Sequence, residues 1–180
     1  GLATTGVQGL ETIVPVAGLA NWYECSCSQG MYLRTDAYAD YLAGLCASRY
    51  QDSSDWANIA ENYRYYLWHL DNDEESLYGN YGEEDGFWGV RDYTRNAANI
   101  KCPALIVHGL NDTVVYQKHF ALMYDSYKKA GVDAKLLLTQ NGHLTPAFGE
   151  NKTEQYIGND LYQQVLNRWF TYYLYDIDNG

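Results

Sequence analysis

The stretch Cys102-Pro103-Ala104-Leu105-Ile106-Val107-His108-Gly109-Leu110-Asn111-Asp112 decides the fold. Its apolar run from Ala104 to Val107 is uninterrupted, which suits a strand covered on both faces in a parallel sheet. Asp112 follows within a few residues, in the loop where a parallel sheet presents functional groups.

Working outward, Ala134-Lys135-Leu136-Leu137-Leu138-Thr139 reads as a second buried strand. Between the two, residues 116–130 place Phe120, Met123 and Tyr127 at helical spacing and stop at Gly131. Upstream, Glu11-Thr12-Ile13-Val14-Pro15-Val16 reads as a third strand with Pro15 near its end, after a short helix over 2–8 that ends at Gly9. Downstream, residues 160–174 carry Leu161, Val165, Trp169 and Tyr172 on one helical face. Strands separated by helices imply a parallel sheet with right-handed crossovers, so the expected fold class is α/β.

The alternation fails between Trp22 and Asn99, where aromatic-rich helical segments read as an insertion, or cap, over about 25–98. Asp55 is placed to cap a helix whose Trp56, Ile59, Tyr63, Tyr66 and Leu67 form one stripe. The acidic runs 71–75 and 83–85 read as solvated loops. A tyrosine stripe on a helix is more often packing than pocket lining.

At 180 residues and 47% hydrophobic content the chain is the size of one domain with a substantial core. Its 23 acidic and 12 basic residues give a formal charge of −11, which repels nucleic acid and anionic membranes; a cationic substrate or simple solubility fits better. No run approaches the roughly 20 apolar residues of a membrane span, and the N-terminus has no signal-peptide pattern, so a soluble, cytoplasmic protein is expected. Cys25, Cys27, Cys46 and Cys102 show neither CxxC spacing nor disulfide-scaffold density; reduced thiols are expected, with Cys102 in core packing. Neither a metal nor another cofactor is expected.

Gly142-His143-Leu144-Thr145-Pro146 follows the 134–139 strand as Asp112 follows the 104–108 strand. Adjacent strand ends therefore bring an acid and an imidazole onto one edge of the sheet. In a serine hydrolase such a carboxylate accepts the Nδ1 proton and fixes the tautomer, while Nε2 takes the proton of the serine. Each residue alone has a plainer reading, since a loop histidine is usually structural and Asn-Asp after a strand is an ordinary turn or cap. The joint pattern is what points to catalysis. Of the other histidines, His108 reads as a satisfied residue at a strand end, His119 as helical, and His69 as part of the insertion.

A nucleophile elbow needs a Gly-x-Ser-x-Gly-like turn directly between a strand and a helix. The nearest match is Ser26-Cys27-Ser28-Gln29-Gly30, which no β run feeds, so Ser28 and Cys27 are weak candidates.

Leu2-Ala3-Thr4-Thr5-Gly6-Val7-Gln8, Thr12-Ile13-Val14-Pro15, Trp22-Tyr23-Glu24, Phe87-Trp88-Gly89-Val90-Arg91-Asp92-Tyr93, the 103–112 stretch and Asn141-Gly142-His143 together resemble the Xaa-Pro dipeptidyl-peptidase family of serine peptidases. That resemblance covers nearly the whole chain and implies the C-terminal portion of an α/β-hydrolase sheet, beginning just after the nucleophile serine and ending before a C-terminal β-sandwich. It implies release of Xaa-Pro dipeptides through an acyl-enzyme, with Asp112 and His143 as acid and base. Trp22, Tyr23, Val114 and Val115 then line the substrate site, and Asp36 or Asp40 anchors the free α-amino group of the peptide. The sequence around 31–41 departs from the family pattern, and Cys25 stands where a tyrosine is expected. The longer parent is compatible with a homodimer, whereas the isolated chain is expected to be inactive and to expose an unpaired edge at residues 12–16. Two alternatives stand beside this reading: an acylase or esterase of the same fold, and a non-catalytic hydrolase-like domain.

Overall fold

The computed structural model describes residues 1–28, 31–32, 88–147 and 157–179. Most of the expected insertion, including Asp36, Asp40, the 55–67 stripe, His69 and the acidic runs, lies outside the described residues. The chain forms two compact units, one of 1–25 with 92–180 and the other of 26–91.

In the first unit, Leu2–Thr5 form a single 3-10 turn rather than the longer helix over 2–8. Gly6 takes the left-handed conformation, φ 67°, and ends it, while Thr4 and Thr5 hydroxyls donate back to the carbonyls of Gly1 and Leu2. A short helix, α1, spans Trp22–Ser26 and crosses into the second unit. The second unit contributes two two-residue strands, β1 (Cys27–Ser28) and β2 (Met31–Tyr32), paired antiparallel, and a 3-10 turn over Gly89–Arg91.

The remaining elements of the first unit follow the sequence closely. Strand β3 spans Ala104–Gly109, helix α2 Lys118–Ala130, strand β4 Ala134–Thr139 and helix α3 Asn159–Tyr175. Helix α2 begins two residues later than the pattern suggests and ends at a left-handed Gly131, φ 69°, whose amide bonds back into the last turn. Strands β3 and β4 pair in parallel from Ala104 with Ala134 through Gly109 with Thr139.

Residues 13–16 lie parallel on the other side of β3, but only as two separate bridges, Ile13 with Ala104 and Val16 with Val107. The hydrogen bonds explain the gap. Ile13 N–H donates to Pro103, Leu105 N–H to Ile13, Val107 N–H to Pro15 and Ala17 N–H to Val107. Pro15 has no N–H for the rung between them, so it interrupts the ladder in its middle instead of closing it at its end.

Strand β3 is buried along its whole length and divides the core in two. Ala104 and Ile106 face α2, where Tyr127 and partly buried Phe120, Met123 and Ile13 pack with Ile100 and Cys102. Leu105 and Val107 face α3, against Tyr162, Trp169 and partly buried Val14, Val16 and Leu137. Alternation in a strand sends successive side chains to opposite layers, and both layers here are helical, which is the three-layer α/β arrangement. Burial raises the pKa of the Cys102 thiol, as expected of a packing residue. Among the described residues no helix is long and apolar enough to cross a membrane.

Candidate active site

Strand β3 delivers Asp112 through a tight turn in which the Asp112 amide donates to the Gly109 carbonyl, 3.1 Å. Asp112 is 1% exposed as a residue and its side chain is fully enclosed. Its Oδ1 accepts the backbone amides of Val114 and Val115, each at 2.8 Å, so the loop that follows closes around it. That leaves Oδ2 to face the neighbouring loop, where His143 Nδ1 lies 2.9 Å away. An ionised carboxylate has no proton to give, so Nδ1–H is the donor and the neutral ring carries its lone pair on Nε2. The His143 side chain is 42% exposed, in contrast to its wholly enclosed partner. An imidazole held at Nδ1 in an exposed side chain can take a proton from a nucleophile at Nε2 and return it to a leaving group.

The two loops are tied together independently of this pair. Leu110 N–H donates to Thr139 at 2.7 Å, Asn111 N–H to Asn141 at 3.0 Å, and the Asn111 side-chain amide to Gln140 at 2.6 Å. Within the histidine loop, Asn141 Nδ2 donates to Thr145 and Leu144 N–H to Gly142. Gly109 makes this approach possible: a Cβ there would stand 2.2 Å from the Asn141 carbonyl oxygen and 2.3 Å from that of Gly142. Sequence reasoning missed this requirement, for which a glycine directly after a buried strand was the one available signal.

Of the expected substrate-binding residues, Val114 and Val115 adjoin Asp112, but their described role is to hold it through their amides, and the Val115 side chain is buried. Tyr23 is also buried, whereas Trp22 is partly open and its indole N–H donates to the Tyr93 hydroxyl at 3.1 Å. The segment carrying them is fastened to α2, the helix that follows the Asp112 loop: Lys118 pairs with Glu24, and His119 Nδ1 accepts the Ala20 amide at 3.4 Å. Asp36 and Asp40 lie outside the described residues. Ser28 ends the two-residue β1 strand, which pairs antiparallel with β2. An apolar cavity of about 240 Å³ opens on the α2 side between Ala3, Pro15, Ala20, Met123 and Tyr127, and neither Asp112 nor His143 lines it.

Among solved structures, an uncomplexed acylaminoacyl peptidase of Pyrococcus horikoshii superposes with a TM-score of 0.55 at 14% identity, over 99% of this chain and 22% of that one. The α/β-hydrolase fold is therefore shared, in the part of it that this chain spans. Sequence comparison is more specific. An Xaa-Pro dipeptidyl-peptidase of Ligilactobacillus salivarius is 32% identical over 185 residues, and one of Pediococcus pentosaceus 30% over 183, each covering 99% of this chain and 21% of the relative. The chain thus spans about a fifth of the length of these curated relatives. A family model described as X-Pro dipeptidyl-peptidase (S15 family) matches residues 1–145, which include both Asp112 and His143, and the chain belongs to that family.

Proposed function

We propose that Asp112 and His143 are the orienting acid and general base of a serine exopeptidase that releases Xaa-Pro dipeptides from peptides with a free N-terminus. The observation that carries this reading is the 2.9 Å contact between Oδ2 of buried Asp112 and Nδ1 of His143, whose side chain is otherwise exposed. In this reading His143 Nε2 takes the serine proton as Oγ attacks the carbonyl carbon of the proline residue, and then gives it to the leaving amine of the next residue. Water hydrolyses the acyl-enzyme by the same proton route. Asp112 holds the tautomer and stabilises the imidazolium without itself being protonated.

In this reading the nucleophile is contributed by sequence outside these 180 residues: among the described residues no serine stands at a strand-to-helix elbow, and the relatives are about five times as long. The isolated chain is accordingly inactive. Trp22, Tyr23, Val114 and Val115 belong to the wall of the proline site, with Asp36 or Asp40 holding the substrate amine in the 25–98 insertion. The peptide is the partner, no cofactor takes part, and the protein acts in the cytoplasm.

The test uses the longest polypeptide that carries this chain, assayed on Ala-Pro-anilide with a free and an acetylated N-terminus. Cleavage restricted to the free-amine substrate is expected; equal rates would replace the exopeptidase with an acylase or esterase. Labelling of the 180-residue chain by a fluorophosphonate at Ser28 would overturn the placement of the nucleophile.

A further inference from the structure

A second imidazole touches the acid's surroundings and has no part in the proton route above. His108 is the penultimate residue of β3, 2% exposed, with its ring tilted against Phe120 at 5.4 Å between centroids. Its Nε2 lies 2.9 Å from the Val115 carbonyl oxygen and 3.7 Å from Asp112 Oδ2. A carbonyl only accepts, so Nε2 carries the proton and Nδ1 is the bare nitrogen of a neutral ring. Nδ1 is buried and has no hydrogen-bond partner among the described residues. Packing alone does not call for such a residue, since phenylalanine would fill the site without an unsatisfied nitrogen.

The placement of the proton supplies the reason. Val115 gives its amide to Asp112 Oδ1 and receives the His108 proton on its carbonyl, so one residue is gripped at both ends. The loop 112–115 is thereby closed onto the end of β3, and the carboxylate is aimed with Oδ2 toward His143. We propose that His108 is a positioning residue for the Asp112–His143 pair, acting as a neutral Nε2–H donor that locks the Val115 peptide and through it the carboxylate. This rests on the reading of that pair as acid and base. The titratable groups beside the ring are Asp112 and His143, and burial outweighs the attraction of Asp112 in keeping the ring neutral.

The experiment compares His108→Phe, His108→Gln and, as controls, Asp112→Ala and His143→Ala in the longest polypeptide carrying the chain, reading kcat, KM and thermal midpoint. Glutamine can place an N–H near the position of Nε2; phenylalanine cannot. Loss of aim by the acid should lower kcat roughly 100-fold in His108→Phe, with KM little changed, because small displacements of catalytic groups act on the chemical step. His108→Gln should recover most of kcat. Folded His108→Phe with wild-type kcat, or folded His108→Gln as slow as His108→Phe, would overturn the proposal while inactive controls left the acid–base reading standing. Full activity in both controls would remove that reading and this proposal with it. Should the His108 variants not fold, nitrogen-detected NMR of the unsubstituted protein decides: a proton on Nε2 of His108 supports the assignment, and a proton on Nδ1 overturns it.

Discussion

Gly109 and Asn141 approach so closely that a methyl group on the first would lie 2.2 Å from the carbonyl oxygen of the second. The contact is backbone against backbone, so no side chain can swing aside. Gly109→Ala must push apart the two loops that carry Asp112 and His143, and overpacking of this kind costs about 1–3 kcal/mol. A lowered thermal midpoint is expected together with a fall in kcat that exceeds the fraction unfolded at the assay temperature. A variant as stable and as active as the parent would mean that the loops yield without disturbing the pair.

How much of this was legible in the sequence depends on the range of the interactions. The ends of β3, β4 and α3 follow from local pattern to within one residue, and the terminator of α2 from Gly131. Residues 11–16 carry a strand composition, yet Pro15 removes a rung that composition cannot reveal. The 2–8 helix shortened to Leu2–Thr5 because Gly6 already takes the left-handed conformation, φ 67°, three residues before Gly9. His108 looked like a satisfied strand-end histidine, and its Nε2 is satisfied; its relation to Asp112 depends on the 112–115 loop folding back, which has no periodic signature. The same holds for Gly109, whose constraint comes from residues on another strand's loop.

Asp112 separates geometry from proton chemistry. Asp112→Asn can keep an oxygen for the Val114 and Val115 amides but turns an NH₂ toward His143, which then presents the wrong tautomer. A drop in kcat of about 10⁴-fold is expected, by analogy with the same change in a serine-protease triad. Its thermal midpoint should stay near that of the parent. Asp112→Ala instead removes the acceptor of the buried Val115 amide and of the part-buried Val114 amide, at about 1–3 kcal/mol for such a loss, and should be both inactive and less stable. Equal midpoints for the two variants would argue that the Val115 amide finds another acceptor.

The buried His108 also sets a direction for stability against pH. Burial lowers its folded pKa below the ordinary 6.5, so below that value the unfolded chain binds the proton more readily. Stability is then complete above about pH 6.5 and falls as the pH drops from there toward the folded pKa. The thermal midpoint of the parent should decline between neutral and mildly acidic pH, and the decline should be smaller in His108→Gln, which has nothing to protonate. An identical decline in the variant would assign the effect to other groups.

Trp169 ties α3 to the sheet in two ways that substitution can separate. Its ring lies in the core with Leu105, Val107 and Tyr162 and packs tilted against Tyr173, 4.5 Å between centroids. Its Nε1–H donates to Thr12 Oγ1 at 2.8 Å, and that hydroxyl donates onward to the Pro103 carbonyl at 3.0 Å, linking α3 to both residues 11–16 and the start of β3. Trp169→Phe keeps most of the apolar contact and loses the donor, so about 1 kcal/mol is expected. Trp169→Ala loses both and leaves a cavity, so about 3–5 kcal/mol is expected. Because Pro15 already deprives this side of the sheet of one rung, the Thr12 relay should matter more than a typical side-chain bond. Thr12→Val loses both the Trp169 and the Pro103 bond. Combined with Trp169→Phe it should cost about 1 kcal/mol more than Trp169→Phe alone, yet less than the sum of the two single losses, which both count the Trp169–Thr12 bond. Strictly additive losses in denaturant unfolding would show that the two residues act separately.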